Sequence, residues 1–199
     1  MVDTIRYIIA MLVLMSYPVA LFLWIFIHPL ASFWRRLGIA LTYGILSIPS
    51  VVWMGGIYHY RKSILVKDLG TNIILIGLGL VCMGAAFCIS KKRRQYLTFG
   101  LLAGNPELSQ NDYPGKLLTG GPYAWIRNPR YIEASLFTLG YTLLANYSAT
   151  YLMFVLSIPV LFVVVILEER ELHRRFGKEY EEYCRQVPRF FPKRFFLKK

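Results

Sequence analysis

Five apolar runs divide this chain, and together they require a bilayer rather than water as solvent. Ile5 to Ile27, Leu37 to Tyr58 and Asn72 to Ser90 come first; Tyr131 to Ala145 and Thr150 to Leu167 follow. A helix rises ~1.5 Å per residue, so about 20 apolar residues cross the ~30 Å hydrocarbon layer. Backbone groups inside that layer must be satisfied internally, which for such runs means helices. The expected fold is therefore all-α: a polytopic membrane helical bundle of about five transmembrane helices. Pro18 is a candidate kink in the first run, and Pro49 and Gly55-Gly56 interrupt the second. Gly77, Gly79, Gly84, Ala85 and Ala86 concentrate in the third, where small residues let helices close up. The first run exceeds the apolar core of a cleavable signal and is expected to be retained. At 56% hydrophobic residues the chain is too apolar for a soluble domain of its size or for disorder.

The formal charge is +12, and its basic residues lie in short clusters between the runs. Such clusters suit anionic headgroups and orient a membrane protein. Placing the C-terminus inside gathers Arg35, Arg36, Lys91 to Arg94, Lys116, Arg127, Arg130 and the tail on the cytoplasmic side. Only Arg6, Arg61, Lys62 and Lys67 then lie outside, so the expected topology is N-out, C-in. Nucleic acid is not the expected partner, because the charges flank membrane runs and no nucleic-acid motif occurs. Cys82, Cys88 and Cys184 lack metal-ligand spacing, and the first two read as small buried hydrophobes. His28, His59 and His173 read as interfacial or surface groups. No metal site and no glycine-rich phosphate loop is expected.

Polar chemistry concentrates in two places. One is Gly121-Pro122-Tyr123-Ala124-Trp125-Ile126-Arg127-Asn128-Pro129-Arg130-Tyr131, just before the fourth run. The other is Glu168-Glu169, just after the fifth. Asn146-Tyr147-Ser148 is a short turn between those runs, so they form an antiparallel hairpin that brings both clusters to one membrane edge. Arg127 and Arg130 alone could be snorkelling anchors beside an aromatic belt. Asn128-Pro129 could simply start a helix, with Asn128 as cap; the same helix start can receive an anion. Glu168-Glu169 could be a solvated helix end, yet carboxylates oppose the macrodipole there. Either the helix continues or the carboxylates have another task, such as accepting ribose hydroxyls. Gln95 to Gly120 reads as a long exposed or re-entrant connection. In the tail, Leu172, Phe176, Tyr180, Tyr183 and Val187 make one apolar stripe, an amphipathic helix laid over the site. Gly177 is a candidate break, and Pro188 and Pro192 end it. Two regions are expected: N-terminal transmembrane helices over 1–94 and a catalytic C-terminal region over 95–199.

The order Gly121-Pro122-Tyr123, Arg127-Asn128-Pro129-x-Tyr131, apolar hairpin, Glu168-Glu169, Phe176-Gly177, Tyr180, Tyr183, Val187-Pro188-Arg189-Phe190-x-Pro192 closely resembles the isoprenylcysteine carboxyl methyltransferase and phospholipid methyltransferase superfamily. The resemblance covers roughly residues 113 to 193. It implies an integral, multi-pass membrane enzyme that uses S-adenosylmethionine. It implies a cofactor pocket of Lys116, Leu117, Leu118, Tyr123, Arg127, Asn128, Tyr131, Glu168 and Glu169, with the glutamates near the adenosine. Tyr131 or Glu168 would serve as catalytic proton acceptor where the acceptor needs one. The expected partners are membrane lipids and a lipophilic acceptor: a lipid amine, a thiol or a prenylcysteine-like carboxylate. The expected membrane is a bacterial or archaeal plasma membrane, or the endoplasmic reticulum in a eukaryote. Asn128 replaces the family's common His and cannot titrate. Val163 to Leu167 supplies none of the Arg that precedes Glu-Glu in the eukaryotic prenylcysteine enzymes. Membrane sterol reductases, which use NADPH, share a Tyr-Cys like Tyr183-Cys184 and are the alternative, as is a non-enzymatic membrane adaptor.

Overall fold

The computed structural model describes residues 1–96 and 116–192, and within them every regular element is helical. α1 is Val2–Ile27, α2 Ala31–His59, α3 Arg61–Ile64 and α4 Ile73–Arg93. A 3₁₀ turn at Gly121–Ala124 precedes α5, Pro129–Ala145; α6 is Ser148–Phe176 and α7 Lys178–Gln186. Most of the expected connection from Gln95 to Gly120 lies outside the described residues. α1, α2, α4 and α6 are long and apolar enough to cross a membrane. α5 has 17 residues, about 25 Å of rise, and is a shorter fifth helix. Only 17% of the most apolar stretch of α2 and of α4 is buried. Ile48, Val51, Val52, Ile73, Ile74 and Val81 stand bare on their outer faces, a surface that belongs in lipid.

Local sequence explains the boundaries. Asn72 caps α4, its side-chain oxygen accepting from Ile74 N at 3.0 Å and Leu75 N at 3.2 Å. α2 starts six residues before the expected Leu37, but Gly38 at φ +78° interrupts its helical backbone there. Pro18, Pro49 and Pro159 sit inside helices, as membrane helices tolerate. Asn146 takes φ +53° between α5 and α6, a conformation Asn adopts more readily than most residues.

α5 packs most extensively along α4, and α1 lies against α5 and α6. The approach is set by Gly79 and Gly140. A Cβ added to Gly140 would lie 2.6 Å from Met83 Cγ and 2.9 Å from the Gly79 carbonyl. Gly79, Ala86, Ser90 and Arg93 form the buried stripe of α4. Gly77 and Gly84 face open space, so only part of the small-residue run serves packing. Cys88 is exposed rather than buried.

Several charges expected at the membrane edge are internal. Arg93 is 5% exposed and donates Nε and Nη2 to Glu133 at 2.6 and 3.1 Å. Arg6 is buried, pairs with Asp68 and donates Nε to the Ala145 carbonyl at 3.1 Å. His28 is likewise buried rather than on the surface. The bundle therefore has two polar ends. Arg6, Asp68 and Asn146 mark one; His28, Arg93, Arg130 and Glu168 mark the other.

Candidate functional site

α6 carries the two glutamates. It does not stop at Leu167 but runs on to Phe176, so Glu168 and Glu169 sit mid-helix, clear of the unfavourable C-terminal dipole. Adjacent helical positions point about 100° apart, and the pair separates into two environments.

Glu169 faces the tail. Its Oε1 accepts from Asn128 Nδ2 at 2.9 Å and Arg127 Nε at 3.2 Å, and its Oε2 from Arg189 Nη2 at 2.6 Å. Arg127 also donates Nη1 to the carbonyls of Val187 at 2.8 Å and Cys184 at 3.0 Å. The main chain completes the seam: Arg127 N donates to Pro188 O at 2.9 Å and Asn128 N to Arg189 O at 3.2 Å. Asn128 occupies the cap position of α5, with Pro129 first in the helix, yet its side chain makes no capping bond. It reaches Glu169 instead.

Glu168 faces inward. Tyr131 donates its hydroxyl to Glu168 Oε2, and Arg130 Nη2 binds the same oxygen at 3.1 Å and the Tyr131 hydroxyl at 2.6 Å. The Arg130 guanidinium lies over the Trp24 ring at 4.9 Å, a favourable stacking contact.

The tail closes above. Gly177, at φ +53°, ends α6 and turns the chain into α7; a side chain there would be strained. Leu172 and Phe176 of the expected stripe belong to α6, and Tyr180 and Tyr183 to α7. Tyr180, Tyr183 and Val187 bury against Leu117. Tyr183 donates its hydroxyl to the Tyr123 carbonyl at 2.6 Å. Burial pushes the Tyr123 phenol up to about 12 and those of Tyr180 and Tyr183 higher still. All three remain neutral hydrogen-bonding groups at physiological pH.

Under this tail lies a cavity of about 100 Å³. Lys116, Leu117, Leu118, Tyr123, Arg127, Asn128, Tyr131 and Glu168 line it, bringing together eight of the nine residues named from sequence. Glu169 is not in the lining. Arg130, Arg175 and Tyr180 also line it, a role the sequence does not single out for them. Tyr180 reads from sequence as a packing residue of the apolar stripe, and Arg130 occupies the variable position of Pro129-x-Tyr131.

A second, apolar chamber of about 460 Å³ lies across the Arg130–Tyr131 wall. Tyr17, Leu21 and Trp24 of α1, Phe137 of α5 and Leu161 of α6 line it, with the Arg93–Glu133 pair. Arg130 and Tyr131 border both spaces. The described residues hold no cluster of metal-ligating side chains.

The helical bundle thus places a cavity lined by charged and phenolic groups at one end and an apolar chamber beside it. Residues 72–179 match the phospholipid methyltransferase family model. The match spans more than half of the chain, which therefore belongs to that family. The chain is also similar to protein-S-isoprenylcysteine O-methyltransferase of Schizosaccharomyces pombe, 28% identical over 116 residues. That stretch is 58% of this chain and 48% of the relative, so the chain spans about half the relative's length. No solved structure matches. Among the described residues, four helices are long and apolar enough to cross a membrane.

Proposed function

We propose that this protein transfers a methyl group from S-adenosylmethionine to a lipophilic acceptor. The observation carrying the reading is the shared wall: Arg130 and Tyr131 border both a polar cavity and an apolar chamber. The donor set suits the cofactor. Glu168 can accept a ribose or amino proton, Tyr123, Tyr180 and Tyr183 offer aromatic faces, and residues 116–118 offer main-chain groups. Pockets for ligands of that size hold roughly 300–1,000 Å³, against about 100 Å³ beneath α7. Entry therefore requires the tail to lift about Gly177.

When bound, the cofactor supplies an activated sulfonium methyl. The protein's part is orientation and exclusion of water. Arg130 and Tyr131 hold Glu168 in place. The aromatic chamber wall, with Tyr17 and Trp24 from α1, holds the acceptor's apolar body. The chamber's charged side chains are paired, Arg93 with Glu133 and Arg130 with Glu168, so its wall offers no net charge. An uncharged nucleophile, such as a free amine or thiol, is favoured over an ionised carboxylate. An ammonium would have to lose its proton first, and Glu168, through Tyr131, is the available acceptor.

The test is twofold. Titration calorimetry should detect S-adenosylmethionine and S-adenosylhomocysteine but not NADPH. A radiolabelled methyl-transfer assay should detect transfer to phosphatidylethanolamine or a lipophilic thiol. Loss of a charge-assisted bond costs roughly 1.5–3 kcal/mol, so Glu168→Gln should weaken S-adenosylhomocysteine binding about tenfold or more. Binding of NADPH alone would replace the reading with a reductase. Saturable methylation of farnesylcysteine carboxylate alone would overturn the acceptor preference.

A further inference from the structure

Among the described residues, five buried side-chain polar atoms have no hydrogen-bond partner, and four fall on three residues: His28 Nδ1 and Nε2, Arg35 Nε and Glu171 Oε2. Buried polar groups are nearly always paired. Each exception carries a desolvation cost that the protein does not return. These residues are linked through shared charged neighbours. His28, 2% exposed, is within electrostatic reach of Glu168 and Arg130. Glu171 Oε1 pairs with Arg175 Nη1 at 3.4 Å, and the carboxylate lies within electrostatic reach of Glu168 and Arg35. Glu168 and Glu171 lie one helical turn apart on α6. The corner between α1 and α2 holds the other side of the cluster. It is fixed by Trp34 Nε1 donating to Phe26 O at 2.8 Å and by His28 stacking on Trp24 at 5.1 Å. Glu168 and Arg175 line the polar cavity, so the cluster adjoins it.

The chemistry of the open valences is specific. Arg35 offers a cationic donor, and Glu171, whose Oε1 is held by Arg175, offers Oε2 as an open acceptor. Burial, followed by the charge of Arg130 and opposed by that of Glu168, lowers His28 to about 4. It is therefore neutral at physiological pH, with one nitrogen donating and one accepting. A simple anion would face Glu171, a simple cation would face Arg35, and an apolar group would leave every valence open. A carboxylate and an ammonium on one carbon satisfy both charged residues together.

We infer that His28, Arg35 and Glu171 form a receptor for a zwitterionic amino acid group, the aminocarboxypropyl end of S-adenosylmethionine. The inference rests on the methyltransferase reading above. A sulfonium has three substituents, and the Arg130–Tyr131–Glu168 hub borders three environments. The cavity under α7 suits the adenosine, the apolar chamber receives the methyl group's acceptor, and this cluster takes the third arm. The corner residues His28 and Arg35 lie outside the stretch that matches the family, so the N-terminal helices complete the donor site.

The experiment compares S-adenosylhomocysteine with 5′-methylthioadenosine, which keeps the nucleoside and sulfur but lacks the amino acid end. Calorimetry is run on the full detergent-purified chain, its Arg35→Gln and its Glu171→Gln variants, each checked by thermal melting. In the parent, S-adenosylhomocysteine should bind more tightly than methylthioadenosine. Each variant should lose about tenfold or more of the S-adenosylhomocysteine affinity, the scale of a charge-assisted bond, with methylthioadenosine affinity retained. Equal losses for both ligands would mean a merely structural cluster and overturn the proposal. Unchanged S-adenosylhomocysteine affinity would mean that water fills the valences, and would also overturn it. A parent that binds S-adenosylhomocysteine but does not discriminate would overturn it while leaving the methyltransferase reading standing. A parent that binds neither would remove both.

Discussion

At the scale of single residues, Glu168 and Glu169 are successive carboxylates with separate tasks. Glu169 gathers Arg127, Asn128 and Arg189 and thereby ties the tail to the start of α5. It is 8% exposed, and removing one partner from a buried ionic network costs about 3–5 kcal/mol. Glu169→Ala should therefore lower the melting temperature of the detergent-solubilised protein and loosen the tail, so that trypsin cleaves at Lys178 and Arg185, which are exposed on the intact helix. Glu168→Gln should leave the tail resistant and act on ligand binding. Equal trypsin sensitivity in the two variants would contradict this division. Most of the cavity lining was legible in the sequence because its residues fall in ordered motifs. The split between the glutamates was not, since it depends on α6 continuing past Leu167 and on where each side chain then points. Arg130 and His28 were missed for a related reason. An isolated cation beside an aromatic belt, or a lone histidine at a helix end, looks the same in sequence whether buried or exposed.

At the scale of elements, the α4–α5 contact is limited by backbone rather than by side chains. A Cβ on Gly140 meets the Gly79 carbonyl, which cannot rotate away, as well as the flexible Met83. Gly140→Leu should force the helices apart, displace Glu133 from Arg93 and destabilise the protein; overpacking typically costs about 1–3 kcal/mol. Gly84→Leu faces open space and is the matched control, expected to melt near the parent temperature. The opposite end is held by Arg6, Asp68 and the main chain at Asn146. Burial alone would raise the Asp68 pKa. Hydrogen bonds from Arg6, the Gly70 N–H and Tyr147, with the charge of Arg6, outweigh it and hold the carboxyl below its ordinary value. A carboxyl depressed in the folded state contributes fully above the unfolded value of about 4 and loses that contribution as pH falls through the folded one. Melting temperature followed downward from pH 5 should therefore drop more steeply in the parent than in Asp68→Asn, which has already lost the interaction. Parallel slopes would exclude Asp68 from the acid response. The helices themselves were readable from their apolar runs. Their partners were not, because an apolar residue facing lipid and one facing another helix obey the same hydropathy.

At the scale of the whole molecule, orientation follows from how charge is divided between the two polar ends. Four of the cations counted toward orientation are paired within the protein: Arg6 with Asp68, Arg93 with Glu133, Arg127 with Glu169 and Arg130 with Glu168. Internally paired charges do not report on a membrane surface, so all four drop out of the comparison. The end bearing the cavity still holds Arg36, Lys91, Lys92, Arg94, Lys116 and the basic tail, against Arg61, Lys62 and Lys67 at the other. The asymmetry therefore survives the correction and favours the cavity end in the cytoplasm, with the N-terminus outside. On the proposed reading, this is also the side on which a water-soluble cofactor would reach the lifted tail, while the apolar chamber would meet the acceptor within the bilayer. Lys116 and Lys62 are both exposed and belong to opposite ends, which makes them suitable reporters. In a background with Cys82, Cys88 and Cys184 replaced, Lys116→Cys should resist an impermeant maleimide in intact cells and react only after lysis. Lys62→Cys should react in both. The reverse pattern would invert the topology and route the cofactor from the outer face. Reaction of both positions in intact cells would mean that the two polar ends do not lie on opposite sides of the membrane, and the five-helix bundle itself would have to be redrawn.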